Sequence, residues 1–266
     1  MDQAQVALPG WRRAIYAPSI NLIRAASLAG ALLVWEVLSR SGIVYGGVVP
    51  PIEAIVVALW TLLGRGEFYS HLAVTATEVG VGFAIAAAGG VVFGVMIGAS
   101  RYLGDALDPY VDGMATAPKT IFLPILMLLF GIDTESKIAL GALAGIFPIL
   151  INTAAGVRSL NPVYVRVGTS FGLTRRQIAT KIYLPALEDW MVTGMRLGLG
   201  VTIVGVLLGE IKLSNRGLGF LANNYYSHFR IPELYGLLIA IFCLAAFANV
   251  AIGRAPAALR ALRRRG

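Results

Sequence analysis

Charge is scarce in this sequence, and reactive side chains are scarcer still. Only 14% of the 266 residues are Asp, Glu, Lys or Arg, against about 25% in ordinary soluble domains. That excludes a water-soluble globule with a polar coat. The single cysteine, Cys243, lies inside an apolar run. An intrachain disulfide is therefore impossible, and the thiol is read as a packing residue. The two histidines, His71 and His228, fit no metal-ligand spacing, so no metal site is expected. No histidine cluster, nucleophile elbow or usable pair of carboxylates supports a membrane-embedded enzyme. The net charge is +8, but the basic residues flank apolar runs instead of sharing one wet face, so nucleic acid is not an expected partner.

What the sequence has in abundance is apolar length. Hydrophobic residues make up 57% of the chain, and the mean hydropathy is +0.75. Several runs approach or exceed the roughly 20 residues that cross a bilayer core of about 30 Å. They are apolar on all faces and do not alternate, which predicts helices over a barrel. The fold class read here is an all-α membrane protein with six transmembrane helices, at about 20–39, 72–98, 108–130, 137–157, 190–211 and 234–254. The stretch from Ile52 to Leu63, after Val49-Pro50-Pro51, is too short to span and predicts a helix lying at the surface. The first run follows Arg12, Arg13 and Arg24 like a signal peptide. However, it is long for a signal core and carries Trp35 and Glu36 where a cleavage site would need small residues, so an uncleaved span is expected.

Lysine and arginine placement sets the orientation. With the N-terminus cytoplasmic, fourteen basic residues near the spans face inward and six face outward, and both termini lie inside. Residues 1–18 and 255–266 are then cytoplasmic tails, the second ending in Arg263-Arg264-Arg265, a run suited to anionic lipid head groups. Glycines recur every four residues at Gly90, Gly94 and Gly98, and in the pairs Gly141 and Gly145, Gly194 and Gly198, Gly205 and Gly209. Such rows let helix backbones approach closely where no hydrophobic effect drives association.

The longest cytoplasmic connection, residues 158–189 between the fourth and fifth spans, is not turn-like. Asn161-Pro162 opens a helix as cap and first-turn proline, Val163, Val167 and Phe171 recur at helical spacing, and Gly172 breaks the run. Thr174 and Gln177 have capping-box spacing. A second short helix should start there, with Ile178 and Ile182 on one face and Arg175, Arg176 and Lys181 supplying charge, until Pro185 stops it. Two amphipathic helices hinged at glycine make a plug for a partner's groove, or a pair of basic helices on lipid phosphates.

The stretch Gly172-Leu173-Thr174-Arg175-Arg176-Gln177 followed by Ile182-Tyr183-Leu184-Pro185 resembles the cytoplasmic loop of binding-protein-dependent ABC importer permeases, written Glu-Ala-Ala, three residues, Gly, nine residues, Ile-x-Leu-Pro. Arg166-Val167-Gly168 stands where the family has Glu-Ala-Ala, whose glutamate contributes to docking. Three further segments resemble the nitrate, sulfonate and taurine branch. They are Ala117-Pro118-Lys119-Thr120 through Phe130-Gly131-Ile132, then Phe147 to Thr153, then Gly209-Glu210 followed by Ser214-Asn215-Arg216-Gly217-Leu218-Gly219.

The resemblance covers about residues 30–255. It implies one transmembrane permease domain of the type I importer fold, in a bacterial inner membrane, paired with a second permease copy. Two ATP-binding cassette subunits would receive the Gly172 loops, and an extracytoplasmic solute-binding protein would deliver a small solute, an anion of the sulfonate, taurine or nitrate kind or a pyrimidine precursor or aromatic compound. ATP and Mg would be bound by the partner ATPase, with no cofactor in this chain. A secondary transporter is the alternative, but no internal repeat with matching broken helices supports it.

Charges inside spans usually face an interior or a cavity, and Glu78, Lys119, Arg196 and Glu210 are the candidates here. Lys119, between Pro118 and Pro124 in a helix expected to kink, is a candidate for lining the pathway and attracting an anion, or for a structural ion pair or a snorkel. Arg196 is read as an interhelical or loop contact before a solute contact. Glu78 and Glu210 are placed loosely near outer and inner ends, and Glu210 is counted among candidate gating positions. The segment from Gly113 to Lys119-Thr120 has phosphate-loop spacing, but Pro118 replaces the second glycine and removes a needed backbone donor, so ATP hydrolysis is expected of a partner.

Overall fold

The computed structural model describes residues 10–43 and 47–263. Residues 1–9 and 264–266, with Arg264 and Arg265, lie outside it, as do the side chains of residues 10–19 and 255–263 and those of Arg175, Leu184 and Leu213. The readings of Arg12, Arg13, Arg260 and Arg263 therefore fall on side chains that are not described.

Every element among the described residues is helical. Five helices are long and apolar enough to cross a membrane, over Ile20–Ser41, Gly66–Ala99, Thr134–Ser159, Glu188–Lys212 and Ile231–Arg254. They belong to α1 (Gly10–Ser41), α3 (Gly66–Ala99), α6 (Thr134–Ser159), α10 (Glu188–Leu213) and α12 (Ile231–Arg263). Each contains one of the runs predicted from hydropathy.

The remaining predicted span, 108–130, is not a continuous kinked helix. It is α4 (Arg101–Thr116), a 3₁₀ turn over Lys119–Phe122 and α5 (Leu123–Phe130), with a bend of 90° between the two halves. The cause is local. Ala117 and Pro118 both take extended backbone angles, with ψ of 139° and 105°, and proline disfavours helical geometry in the residue before it. Pro124 stands in the first turn of α5, where its missing N–H costs nothing. The sixth span exists only if this broken pair is counted as one.

The core is a three-helix weld. α6 packs between α3 and α10 along the glycine rows. A Cβ at Gly94 would lie 2.7 Å from the Leu150 carbonyl, and one at Gly205 would lie 3.2 Å from the Gly141 Cα. Only glycine allows backbones this close, and the resulting dispersion contact substitutes for a hydrophobic driving force that lipid does not supply.

α2 (Ile52–Leu63) buries Ile55, Ala58 and Leu62 and leaves Trp60 and Val57 uncovered. It packs against α12, where a Cβ at Gly236 would sit 2.9 Å from the Leu59 nitrogen. α11 (Leu218–Ser227) joins α10 to α12 at the same end, and Leu218, Leu221 and Tyr225 form an apolar cluster with Leu62, Phe68 and Leu237.

Among the described residues, α1 is fastened to the rest near its Ser41 end. Trp35 Nε1 donates to the Pro50 carbonyl at 3.0 Å, its ring meets Tyr235 edge-on at 5.3 Å, and the Ile52 N–H donates to Glu36 at 3.2 Å. The two residues that argued against a cleavage site are thus the ones that tie this helix to α2 and α12.

Candidate functional site

At the end of the bundle where α6 finishes, the chain folds into a knob. Asn161 Oδ1 accepts from the Val163 N–H at 3.0 Å and caps α7 (Pro162–Ser170). Gly172 then turns the chain with φ of +72° and nothing within 4 Å of the place a Cβ would take. The capping box closes as read from the sequence, with Thr174 N–H donating to Gln177 Oε1 at 2.8 Å and Gln177 N–H to Thr174 Oγ1 at 3.3 Å.

Pro185 does not stop the second helix. α8 (Arg175–Ile178) continues through a π-helical segment, Ala179–Tyr183, into α9 (Leu184–Ala186), and a single turn residue, Leu187, leads into α10. A proline in a regular α-helix would lose its own hydrogen bond and press its ring on the carbonyl four residues back. Widening the preceding turn relieves both, so a π segment replaces a stop.

The departure from Glu-Ala-Ala is also legible here. A Cβ at Gly168 would lie 2.6 Å from Ile182 Cδ1, and the Gly168 carbonyl accepts from the Leu173 N–H at 3.0 Å. The third position lies where α7 packs on the segment carrying Ile182, and an added methyl there would displace the tip of the Ile182 side chain. Arg166, in the first position, is exposed, and so is Val167 in the second, with 48% of its surface uncovered. Val163, Tyr164, Phe171, Lys181 and Pro185 border a groove of about 870 Å³, and Phe171 is 80% exposed at its rim.

At the opposite end of the bundle lies a buried polar knot that sequence reading did not assemble. Glu210 is wholly buried. Its Oε1 accepts from the Thr75 hydroxyl at 2.6 Å and its Oε2 from the Gly219 N–H at 2.7 Å. Thr75 Oγ1 in turn accepts from the Leu218 N–H at 2.8 Å, and His71 Nδ1 from the Gly217 N–H at 3.1 Å. The last bond places the His71 proton on Nε2, which faces Glu67 at 3.8 Å. Lys137, also buried, donates to Ser214 Oγ at 2.9 Å and lies 3.7 Å from Glu78.

The placement of Glu78 and Glu210 near opposite ends is thus corrected. Both sit at the end where α3 begins and α10 finishes, and Glu210 is locked in the packed interior, not open to a cavity. Sequence reading missed His71 and Thr75. Their signal was a polar stripe of His71, Thr75 and Glu78 at helical spacing on an otherwise apolar helix.

The other pathway candidates separate. Lys119 sits at the α4–α5 break between Pro118 and Pro124, donating to the Ala115 carbonyl with its ammonium 5.3 Å from the Phe147 ring centre. Among the described residues no carboxylate reaches it. Arg196 Nε donates to Asn249 Oδ1 at 2.6 Å, tying α10 to α12 on a different side of the molecule.

A bundle of five long apolar helices and one broken pair, with a hinged amphipathic knob at one end, has the architecture of an all-helical membrane protein. Residues 90–264 match the family described as binding-protein-dependent transport system inner membrane component. The chain belongs to that family and is a transport permease subunit, not an enzyme. It is 31% identical over 221 residues to SsuC of Escherichia coli K12, a permease assigned to aliphatic sulfonates transport, covering 83% of this chain and 84% of that protein. It is 30% identical to the E. coli K12 taurine transport system permease protein TauC, covering 90% and 86%. It is 28% identical to the nitrate import permease protein NrtB of Synechocystis sp., covering 85% and 84%.

Proposed function

We propose that this chain forms, with a second copy, the translocation pathway of an ABC importer for a small organic or inorganic anion in a bacterial inner membrane. Sulfonates, taurine and nitrate, the solutes named for the three relatives above, share an anionic group, which supports the anion class without choosing among them. The knob end and both termini face the cytoplasm, in keeping with the bias of basic residues toward that side. There two ATPase subunits, which bind ATP and Mg, each receive one α7–α8 knob as a coupling helix. A solute-binding protein delivers the anion at the α11 end, and lipid covers the remaining apolar flanks. Lys119 is the pathway cation. It stands at a helix break without a carboxylate partner among the described residues, and its ammonium already lies against the Phe147 ring, as a displaceable contact would. ATP binding draws the ATPases together, the knobs follow, and the helices alternate access by rigid-body movement.

The single observation that carries the coupling assignment is Phe171, a large aromatic exposed at the rim of an apolar groove on a segment already capped and folded by its own contacts. Such a side chain is shaped for burial in a partner. The test is co-purification with the ATPase encoded beside it, followed by ATP hydrolysis in nanodiscs. Phe171→Asp is expected to abolish the complex while leaving the permease monodisperse. An intact, transport-active complex in that variant would overturn the assignment.

A further inference from the structure

The knob helices α7 to α9 carry basic charge alone, and Glu188 and Asp189 follow them in the first turn of α10. From Leu160 to Leu187 the sequence contains Arg166, Arg175, Arg176 and Lys181 and not one Asp or Glu. Among the described residues, Arg166, Arg176 and Lys181 are exposed and none is in an ion pair. Arg166 does border a cavity of about 810 Å³ together with Asp105 and Asp108 of α4. Asp108 pairs with Arg158 at 2.8 Å, whereas Asp105 lies 3.9 Å from Arg101 with both side chains exposed. Arg166, Arg176 and Lys181 are therefore left outside any ion pair among the described residues.

It is also interleaved with apolar surface in a way that a flat bilayer does not require. Val163, Val167 and Phe171 share one flank of α7 with the groove, and Gly172 folds α8 back so that Ile182 meets Gly168. The product is a compact knob with an apolar tip and a basic rim. Complementary interfaces bury such a tip in a pocket and set opposite charge around it, which fixes partner choice and raises the association rate.

We propose that the ATPase subunit serving this permease presents a docking groove rimmed with carboxylates, one of them paired to Arg166, with others facing Arg176 and Lys181. This rests on the coupling reading above and deepens it. The position that holds glutamate in the family loop holds arginine here, so the knob selects an acidic groove and rejects a basic one.

The experiment uses the co-expressed complex of permease and ATPase in nanodiscs. Affinity is measured for wild type, Arg166→Lys, Arg166→Glu and Phe171→Asp at low and high salt, in neutral and in anionic lipid. Arg166→Glu is expected to weaken association by about tenfold or more and to flatten its salt dependence, while Arg166→Lys stays within about threefold. Changing one groove carboxylate of the ATPase to Arg should restore the Arg166→Glu complex. If Arg166→Glu binds as tightly as wild type at both salts while Phe171→Asp does not bind, the coupling reading stands and the acidic groove is wrong. If the Arg166 effect is present only in anionic lipid, the cation is a lipid contact and the proposal is overturned. If Phe171→Asp also binds normally, the coupling reading itself fails.

Discussion

A single carboxylate, Glu210, shows how much one residue can organise when it is buried. Its two oxygens accept from a side chain of α3 and from the backbone that opens α11. A charged or strongly polar acceptor removed from water is tolerable only if its donors are in place, and those donors are equally stranded without it. The surrounding glycines are part of the same arrangement. A Cβ at Gly219 would lie 2.5 Å from the Leu207 carbonyl, and one at Gly217, where φ is +100°, would overlap Glu210 Oε1. Glu210→Ala leaves the Thr75 hydroxyl and the Gly219 N–H unpaired, an expected loss of about 3 kcal/mol from two stranded buried donors, or a fall in Tm of roughly 6–12 °C for a chain of this size. Thr75→Val is nearly isosteric and removes one donor and one acceptor from the same knot, so the double variant should cost clearly less than the sum of the singles. Thermal unfolding of the four proteins in detergent decides it. Full additivity would mean that the two residues do not act as one unit.

Among the helices and their connections, the legible features were those coded by neighbours in the chain. The Asn161 cap, the Thr174–Gln177 box and the Gly172 turn are all read within four residues, and all three form. The glycine rows announced close helix contacts, and α3, α6 and α10 meet along them, although the rows alone could not say which helix meets which. The failures came where proline has two outcomes. Pro118 broke a helix that was read as merely kinked, and Pro185 was absorbed by a wider turn instead of ending one. The difference lies in what precedes each proline: the extended Ala117 before the first, and five residues free to adopt π geometry before the second. The knot was illegible for another reason. Its partners are 135 and 143 residues apart in the chain, joining Thr75 to Glu210 and to Leu218, and no local pattern encodes such a pairing. The π segment makes its own prediction. Pro185→Ala restores the missing N–H, so the α8–α9 stretch should close into regular α-helix and rotate the knob relative to α10. Slower amide exchange across 179–186, with weaker ATPase coupling and unchanged permease folding, is the expected result. Unchanged exchange there would mean that the proline does not maintain the π geometry.

At the scale of the whole molecule, stiffness is distributed unevenly. α3, α6 and α10 approach through glycines along their length and are tied by the Glu210 knot at one end, so they can move only together. α4 and α5 are different. They are separated by an extended break, and α5 leaves Leu128 88% exposed and Leu129 70% exposed within the chain, touching mainly α6. Packed interiors are bistable and resist continuous deformation, whereas movement concentrates at boundaries between rigid units. The α4–α5 break beside Lys119 is such a boundary, and the weld is not. Spin labels at Thr77 and Asn223, both exposed at the knot end, should therefore keep the same separation within about 2 Å between nucleotide-free and ATP-trapped complexes. A second pair at Leu128 of α5 and Ile151 of α6, both exposed, should shift by several Å on the same transition, on the order of one helical turn at most. Paired-label distance measurements in nanodiscs read both. A large change across the knot with a fixed α5 would invert the assignment, making the weld the moving part and the break a static kink.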